Sequence, residues 1–181
     1  MDRASVSGTE DCGFDSRQTH KFIHSSKMKL VFILENIRSV LNVGSIFRTA
    51  DCLGAEVFLC GYSPTPHHPK FTKTALGAEK TVRWKHFDTV KQAVDTFRSN
   101  FPHRSAVYAV EITEEAKILW EESFPLHVAL IFGNEVKGVS KTAIRLAHKT
   151  IKIPMFGSKE SFNVAVAVGI CGYEVVRQWN K

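Results

Sequence analysis

Near-continuous apolar runs limit the fold of this chain more than any other feature of its sequence. Residues 29–35 read KLVFILE, and residues 105–111 and 126–132 have the same apolar character. A strand that is apolar on both faces must be covered on both faces, which is typical of parallel sheets. The sequence therefore predicts an α/β protein with a mainly parallel sheet and helices on both of its faces.

Segments with apolar residues at helical spacing separate these runs. In the first of them Ile46, Phe47 and Ala50 form a stripe, and Asn42 is predicted as the helix cap. The predicted helices cover residues 44–53, 88–99, 139–149 and 161–179, and the remaining predicted strands cover residues 55–60, 81–87 and 150–154. Strands and helices alternate, as in a sheet with helical crossovers.

The last predicted helix is apolar almost all round between Val164 and Val176. A helix of this kind is buried, either in the core of one subunit or between subunits. Its small residues also permit close helix packing. We therefore expect a homodimer that forms through this C-terminal helix.

The first 27 residues differ in character from the rest of the chain. They are polar and mix both charges, without the apolar core of a signal peptide. We predict a flexible N-terminal tail at residues 1–27 and a single domain at residues 28–181. The longest apolar run elsewhere, residues 164–173, is too short to span a bilayer, so no membrane association is expected.

The charge and the cysteines narrow the class of protein. A formal charge of +6 favours an anionic partner, although many basic proteins bind none. The four cysteines, Cys12, Cys52, Cys60 and Cys171, include no C-x-x-C pair, and no histidine spacing suggests a metal site. Reduced, mostly buried thiols in a cytoplasmic protein and the absence of a bound metal are the expectations.

Three turns are predicted to lie beyond the carboxyl ends of strands, where α/β sheets bind ligands. They are residues 42–51, 133–140 and 153–164. The second turn has the G-x-x-x-x-G outline of a P-loop from Gly133 to Gly138. Val139, however, stands where a P-loop needs its phosphate-binding lysine, which disfavours an ATPase or GTPase. The two glycines permit either a close ligand or simply a tight turn.

Polar residues in these turns have both a functional and a structural interpretation. Arg48 is either a solvated helix residue or a guanidinium that binds phosphate or an oxygen that becomes anionic. Glu135 either contacts a ligand or offsets a helix dipole. Asn42 and Asn163 are either caps or ligand contacts.

A basic stretch with interspersed aromatic rings follows the second predicted strand. Its cations are Lys70, Lys73, Lys80, Arg83 and Lys85, and its rings include Phe71 and Trp84. This composition suits phosphate contacts and base stacking, so the stretch is a candidate RNA-binding surface. A solvated basic face is the alternative.

Taken in order, these segments resemble the motifs of SPOUT-class RNA methyltransferases of the SpoU/TrmH family. The first motif is Asn42-x-Gly44-x-x-x-Arg48-Thr49-Ala50, the second is Phe132-Gly133-Asn134-Glu135-x-x-Gly138, and the third is Ile153-Pro154-Met155 followed by Ser161-Phe162-Asn163-Val164. Residues 74–79 also resemble the segment that these proteins carry between the first two motifs. The resemblance covers residues 29–178.

The resemblance implies a fold, a cofactor and an assembly. The family fold is an α/β sheet with a deep C-terminal trefoil knot, and its members are homodimers. The cofactor is S-adenosyl-L-methionine, which becomes S-adenosyl-L-homocysteine, and no metal is needed. By position the cofactor-binding residues are Gly133, Ile153, Met155, Phe162 and, at the end of a central strand, Val110.

The implied reaction is methyl transfer to a ribose 2′-hydroxyl of tRNA or rRNA. The residues carried over as catalytic are Asn42, Arg48, Glu135, Ser161 and Asn163. In the family the residue at Arg48 is the proposed activator of the hydroxyl. Because a guanidinium holds its proton tightly, we expect Arg48 to stabilise the emerging alkoxide and bind phosphate instead.

The chain departs from the family pattern in three respects. Phe162 replaces a usual leucine and Ala165 a frequent serine, and many rRNA-directed relatives carry an N-terminal domain that a 27-residue tail does not replace. The last difference favours tRNA over rRNA. The alternatives are a catalytically silent RNA-binding dimer of the same fold and a nucleotide-binding α/β protein unrelated to methylation.

Overall fold

The computed structural model describes residues 28–180, and its central feature is a sheet of seven strands. The strands are β1 (Lys29–Glu35), β2 (Glu56–Cys60), β3 (Trp84–Phe87), β4 (Ser105–Val110), β5 (Lys117–Ile118), β6 (His127–Phe132) and β7 (Lys149–Lys152). Their order across the sheet is β3-β2-β1-β6-β4-β7-β5, and every pairing is parallel. The predicted parallel sheet is confirmed.

Helices cover both faces of this sheet, as predicted. They are α1 (Val40–Leu53), α2 (Thr72–Ala75), α3 (Val90–Asn100), α4 (Lys141–Leu146) and α5 (Val164–Trp179). Alternate residues of β1 enter two separate cores. Phe32 and Leu34 pack in the core that contains α1 and α5, whereas Val31 and Ile33 pack in the core that contains α3 and α4.

Capping side chains set the start of the helices differently from the prediction. Asn42 is not the cap of α1, because the helix begins at Val40 and the Ser39 side chain accepts a hydrogen bond from the Asn42 backbone N–H. The predicted helix at 139–149 is shorter for the same kind of reason, since Ser140 caps it before Lys141. Asn163 does cap α5, and this helix therefore begins at Val164 rather than at residue 161.

The last helix has one buried face and one exposed face. Val164, Val168, Cys171 and Val175 lie in the core, and a β-carbon on Gly172 would lie 2.7 Å from the Phe32 ring. On the other side Val166 is 49% exposed and Tyr173 is 63% exposed. Within one subunit, therefore, only part of the apolar surface predicted for this helix is buried.

Residues 1–27, for which a flexible tail is predicted, and residue 181 lie outside the described part of the chain. No helix between residues 28 and 180 combines the length and the apolar character that crossing a membrane requires. Of the three cysteines in this range, Cys60 and Cys171 are buried and Cys52 is exposed. Burial, with a smaller contribution from the Glu35 carboxylate, raises the pKa of the Cys60 thiol to about 12.

Candidate active site

A cavity of about 440 Å³ opens at the carboxyl edge of the sheet. Its walls come from the ends of β4, β6 and β7 and from the segment that leads into α5. The residues that line it are Val110, Glu111, Ile112, Phe132, Gly133, Asn134, Glu135, Val136, Gly138, Lys152, Ile153, Met155, Ser161, Phe162, Asn163, Val164 and Ala167. Its volume is within the range of pockets that hold small organic ligands.

Most of the site residues named from the sequence meet at this cavity. The five cofactor-binding candidates, Val110, Gly133, Ile153, Met155 and Phe162, all line it. Three catalytic candidates, Glu135, Ser161 and Asn163, line it as well. Asn42 reaches the same place through hydrogen bonds, whereas Arg48 does not line the cavity.

The turn after β6 owes its shape to one side chain and two glycines. The Asn134 Oδ1 atom accepts hydrogen bonds from the backbone N–H groups of Val136 and Lys137, each at 2.9 Å. Gly138 has a φ of 69°, and a β-carbon on Gly133 would lie 2.2 Å from the Gly138 carbonyl carbon. Both glycines are therefore required by the tight turn itself.

Glu135 joins this turn to the start of α1. Its carboxylate accepts hydrogen bonds from the backbone N–H groups of Arg38 (2.8 Å) and Ser39 (3.0 Å) and from the Asn42 side-chain amide (2.9 Å). The Asn163 amide donates in turn to Asn42 Oδ1 at 3.1 Å. One chain of hydrogen bonds thus connects the three motif segments at the mouth of the cavity.

These contacts determine the charge state of Glu135. Partial burial alone would raise the pKa of the carboxyl group, but the hydrogen bonds from Arg38, Asn42 and Ser39 outweigh it. The net effect is a pKa below the usual value, because hydrogen bonds to the charged form favour that form. Glu135 is therefore a stable anion that holds its neighbours in place and a poor proton acceptor.

Sequence reasoning missed a second carboxylate in the cavity wall, that of Glu111. It accepts hydrogen bonds from the backbone N–H groups of Val139 (2.7 Å) and Ile112 (2.9 Å). Its position directly after a buried strand, at the carboxyl edge, is the signal that could have identified it. Lys152 supplies a cation to the same wall. No group of three His, Cys, Asp or Glu residues that could hold a metal occurs within residues 28–180.

Arg48 lies on a different face of α1 from the cavity. A β-carbon on Gly44 would lie 2.2 Å from Thr74 Oγ1, and the Thr81 hydroxyl donates to Asp51 at 2.6 Å. Arg48 is exposed and lies between Gly44 and Asp51 at i, i+4 and i+7 spacing, so it shares their side of the helix. It therefore lies beside residues 71–81, about 9 Å along the helix axis from Asn42.

The structure divides the predicted basic surface into two parts. All five cations are exposed. Lys70 and Lys73 belong to the segment that contacts the first half of α1, near the edge of the sheet where the cavity opens. Arg83 and Lys85 lie at the start of β3, at the opposite edge, and Arg83 forms an ion pair with Glu56 at 2.9 Å. Lys80 lies between the two groups along the chain.

Comparisons with known proteins show which proteins this chain is similar to. The tRNA (guanosine(18)-2′-O)-methyltransferase of Thermus thermophilus is 32% identical over 162 residues, which are 90% of this chain and 81% of that protein. The 23S rRNA (guanosine-2′-O-)-methyltransferase RlmB of Ralstonia nicotianae is 30% identical over 82% of this chain, but over only 59% of its own length.

Solved structures agree with the sequence comparison. The crystal structure of the SpoU methyltransferase AviRb from Streptomyces viridochromogenes in complex with the cofactor AdoMet has a TM-score of 0.75 and 26% identity, over 84% of this chain and 58% of that one. Residues 29–173 of this chain match the SpoU rRNA Methylase family, which confirms the resemblance seen in the motifs. This chain therefore belongs to the SpoU rRNA Methylase family.

Proposed function

We propose that this protein is an S-adenosyl-L-methionine-dependent RNA methyltransferase that modifies a ribose 2′-hydroxyl of tRNA or rRNA. The observation that carries the proposal is the chain of hydrogen bonds from Glu135 through Asn42 to Asn163, which joins the three motifs beside one cavity. The relatives whose names specify guanosine 2′-O-methylation support the same reaction. Membership of the family supports it independently.

The residues of the cavity fit this cofactor. Val110, Ile153, Met155 and Phe162 offer an apolar wall for an adenine ring, and the turn at Gly133 brings backbone close to the cavity. Glu111 and Glu135 are anions that favour positively charged groups, and Lys152 suits a carboxylate. When bound, S-adenosyl-L-methionine supplies an electrophilic methyl group on its sulfonium.

The chain's own residues act on the ribose by positioning and by charge. Glu135 and Asn163 hold the Asn42 amide from both sides, which fixes its direction at the mouth of the cavity. Ser161 lines the cavity next to them. Arg48 lies outside the cavity on the outer side of α1, where it binds a phosphate next to the ribose and so holds the hydroxyl in place. The proton of the hydroxyl leaves to water or to a phosphate oxygen, since a guanidinium does not accept it. Correct placement of the hydroxyl supplies much of the rate.

The proposal includes the family's knot and dimer. We infer that residues 28–181 form one catalytic domain with a C-terminal trefoil knot. The strand order supports the knot, because β7 lies between β4 and β5 and must therefore pass the connection between them. The exposed apolar side of α5 supports a homodimer. The free cysteines Cys52, Cys60 and Cys171 support a cytoplasmic location.

We favour tRNA over rRNA as the substrate. The Thermus thermophilus enzyme, which is named for a tRNA guanosine, aligns over more of its own length than the 23S rRNA enzyme does.

The RNA backbone is contacted on the outer side of α1, where the cations are Lys70, Lys73 and Arg48.

Calorimetric titration of the protein with S-adenosyl-L-methionine, followed by methyl-transfer assays on bulk tRNA and rRNA, tests this function. We predict saturable heat and transfer by the wild type. In Arg48→Ala we expect the same donor affinity and a loss of transfer of at least about 100-fold, the scale of a misplaced reacting group. Absence of heat at high protein concentration would refute the function, and unchanged turnover in Arg48→Ala would refute the role of Arg48.

A further inference from the structure

Tyr62 is hydrogen-bonded to Asn134, a residue that lines the cavity, and is held there in an unusual way. It follows β2, and its side chain is 61% exposed although its hydroxyl is hydrogen-bonded. The Asn134 amide donates to the Tyr62 Oη atom at 3.0 Å and to the Asn36 carbonyl oxygen at 2.8 Å. The Tyr62 backbone N–H donates to Asn36 Oδ1 at 3.3 Å. The ring is therefore fixed at two points while its surface stays open to solvent.

The backbone around Tyr62 adopts conformations that side chains disfavour. Asn36, directly after β1, has a φ of 56°, and Gly61, directly after β2, has a φ of 63°. A β-carbon on Gly61 would lie 2.1 Å from Asn36 Oδ1, so the position next to Tyr62 accepts only glycine. Strained backbone of this kind is concentrated at functional sites, where the surrounding contacts maintain it. Here three contacts maintain the position of one exposed aromatic ring.

Two cations occur in the chain segments whose residues fix this ring. Arg38 follows Asn36 by two residues, Lys137 follows Asn134 by three residues, and both are exposed. Neither side chain has an ion-pair partner in the described range of 28–180. An exposed aromatic ring and exposed cations in adjoining segments are the composition of sites that stack bases and contact phosphates of unpaired RNA.

We propose that Tyr62 is the stacking platform for a base of the RNA substrate at the mouth of the cavity, with Arg38 and Lys137 on the adjacent phosphates. The ring selects an unpaired nucleotide, because only a base that has left its helix presents a free face. The Tyr62 hydroxyl accepts from Asn134, so the stack is tied to the turn that carries Glu135. This inference rests on the proposed function, since it names how that site receives its RNA.

The test uses four full-length variants and bulk unmodified tRNA and rRNA, each measured separately by filter binding over a series of salt concentrations. Tyr62→Ala removes the ring, and Tyr62→Phe removes only the hydroxyl. Trp120→Ala is the matched control, because Trp120 is also an exposed ring (50% against 61%) but follows β5, five strand positions or about 24 Å from β2. Arg38→Ala with Lys137→Ala tests the flanking cations. Donor affinity is measured by calorimetry in every variant.

We expect Tyr62→Ala to weaken RNA binding about tenfold or more, with the same salt slope as the wild type, because stacking is not an ionic contact. Tyr62→Phe should stay within about threefold of the wild type, since it keeps the ring. Trp120→Ala should change nothing, and the Arg38→Ala, Lys137→Ala double variant should reduce the salt slope. Donor affinity should be equal in all variants.

Three results would overturn the role of Tyr62. The first is unchanged RNA binding in Tyr62→Ala, and the second is an equal loss of RNA affinity in Tyr62→Phe and Tyr62→Ala. The third is a loss of donor binding in Tyr62→Ala, which would indicate a structural role for the hydroxyl contact. The proposed function fails differently, through the absence of donor binding and of methyl transfer by the wild-type protein. The RNA-binding measurements do not depend on either of these.

Discussion

At the scale of single residues, the site depends on groups that hold other groups in place. Glu135 is the clearest case, because its carboxylate accepts hydrogen bonds from Arg38, Ser39 and Asn42. Those three donors belong to the start of α1, whereas Glu135 belongs to the turn after β6. The negative charge of Glu135 in this position is also stabilised by the positive end of the α1 helix dipole.

This arrangement predicts a pH dependence of stability. The pKa of Glu135 lies below its usual value of 4.5 in the folded protein, so its stabilising contribution is complete above pH 4.5. The contribution is lost as the pH falls from there through the lowered pKa. Glu135→Gln should therefore be less stable than the wild type near pH 7, and the difference should shrink in acid. Urea unfolding at a series of pH values measures it.

Glu115→Gln is the control for this experiment, since Glu115 is exposed and accepts no side-chain hydrogen bond within residues 28–180. We expect it to leave the free energy of unfolding unchanged across the same range. A stability deficit in Glu135→Gln that stays constant down to the acid end would show that the carboxylate charge is not involved.

Sequence reasoning located the cavity residues well but not their partners. Motif order was enough to bring Gly133 and Phe162 to one place, and Val110 was identified by its position at the end of a central strand, because all three lie at the same edge of the sheet. It missed Glu111, whose role depends on a contact with Val139, 28 residues away. A pairing of this kind follows from the tertiary fold, and no local pattern reports it.

At the scale of elements, α1 connects the proposed donor cavity with the predicted RNA surface. Its first turn carries Asn42 at the cavity, and its outer side carries Arg48 beside residues 71–81. The short helix α2 can approach closely because Gly44 has no side chain. The two faces of one rigid helix therefore set the distance between the ribose site and the cations.

The two groups of cations lie near opposite edges of the sheet, which predicts unequal roles for them. Lys70→Ala with Lys73→Ala should weaken RNA binding and lower the slope of log affinity against log salt by about 1.5, as for two lost phosphate contacts. Arg83→Ala with Lys85→Ala should have a smaller effect, because Arg83 is paired with Glu56 at the opposite edge of the sheet. Equal salt slopes for the two double variants would contradict this division.

Element boundaries show what local patterns determine. Periodicity found every strand and helix that is long enough to show one, including β1 and α3. It missed β5 and α2, which have two and four residues and are held by neighbours rather than by their own pattern. Boundaries shifted where side-chain caps were not recognised, as at Ser39 and Ser140.

At the scale of the whole molecule, α5 leaves one apolar side uncovered. Val166 and Tyr173 are exposed, and Gly169, between them, has no atom within 4 Å of where a β-carbon would stand. Val164, which lines the cavity, lies on the buried side of the same helix. The order of the strands in the sheet and the path of the crossovers could not be predicted from periodicity, because strands with similar apolar patterns are interchangeable.

The uncovered side of α5 predicts how the dimer can be disrupted. Sedimentation equilibrium should give the mass of a dimer for the wild type and of a monomer for Val166→Glu, because an unpaired charge buried in the interface costs about 3–5 kcal/mol. Trp120→Glu places the same charge at an exposed apolar residue outside α5 and should remain a dimer. A dimeric Val166→Glu variant would show that subunits associate through another surface.

The most direct test of the whole account is the position of a labelled methyl group in RNA. The wild-type protein is incubated with labelled S-adenosyl-L-methionine and bulk unmodified tRNA or rRNA, and the product is hydrolysed in alkali. Alkali cleaves RNA through the free 2′-hydroxyl, so a 2′-O-methylated nucleotide stays linked to its neighbour. We predict that the label is recovered in alkali-resistant dinucleotides. Label in single nucleotides, which would place the methyl group on a base, or no label at all, would contradict the account.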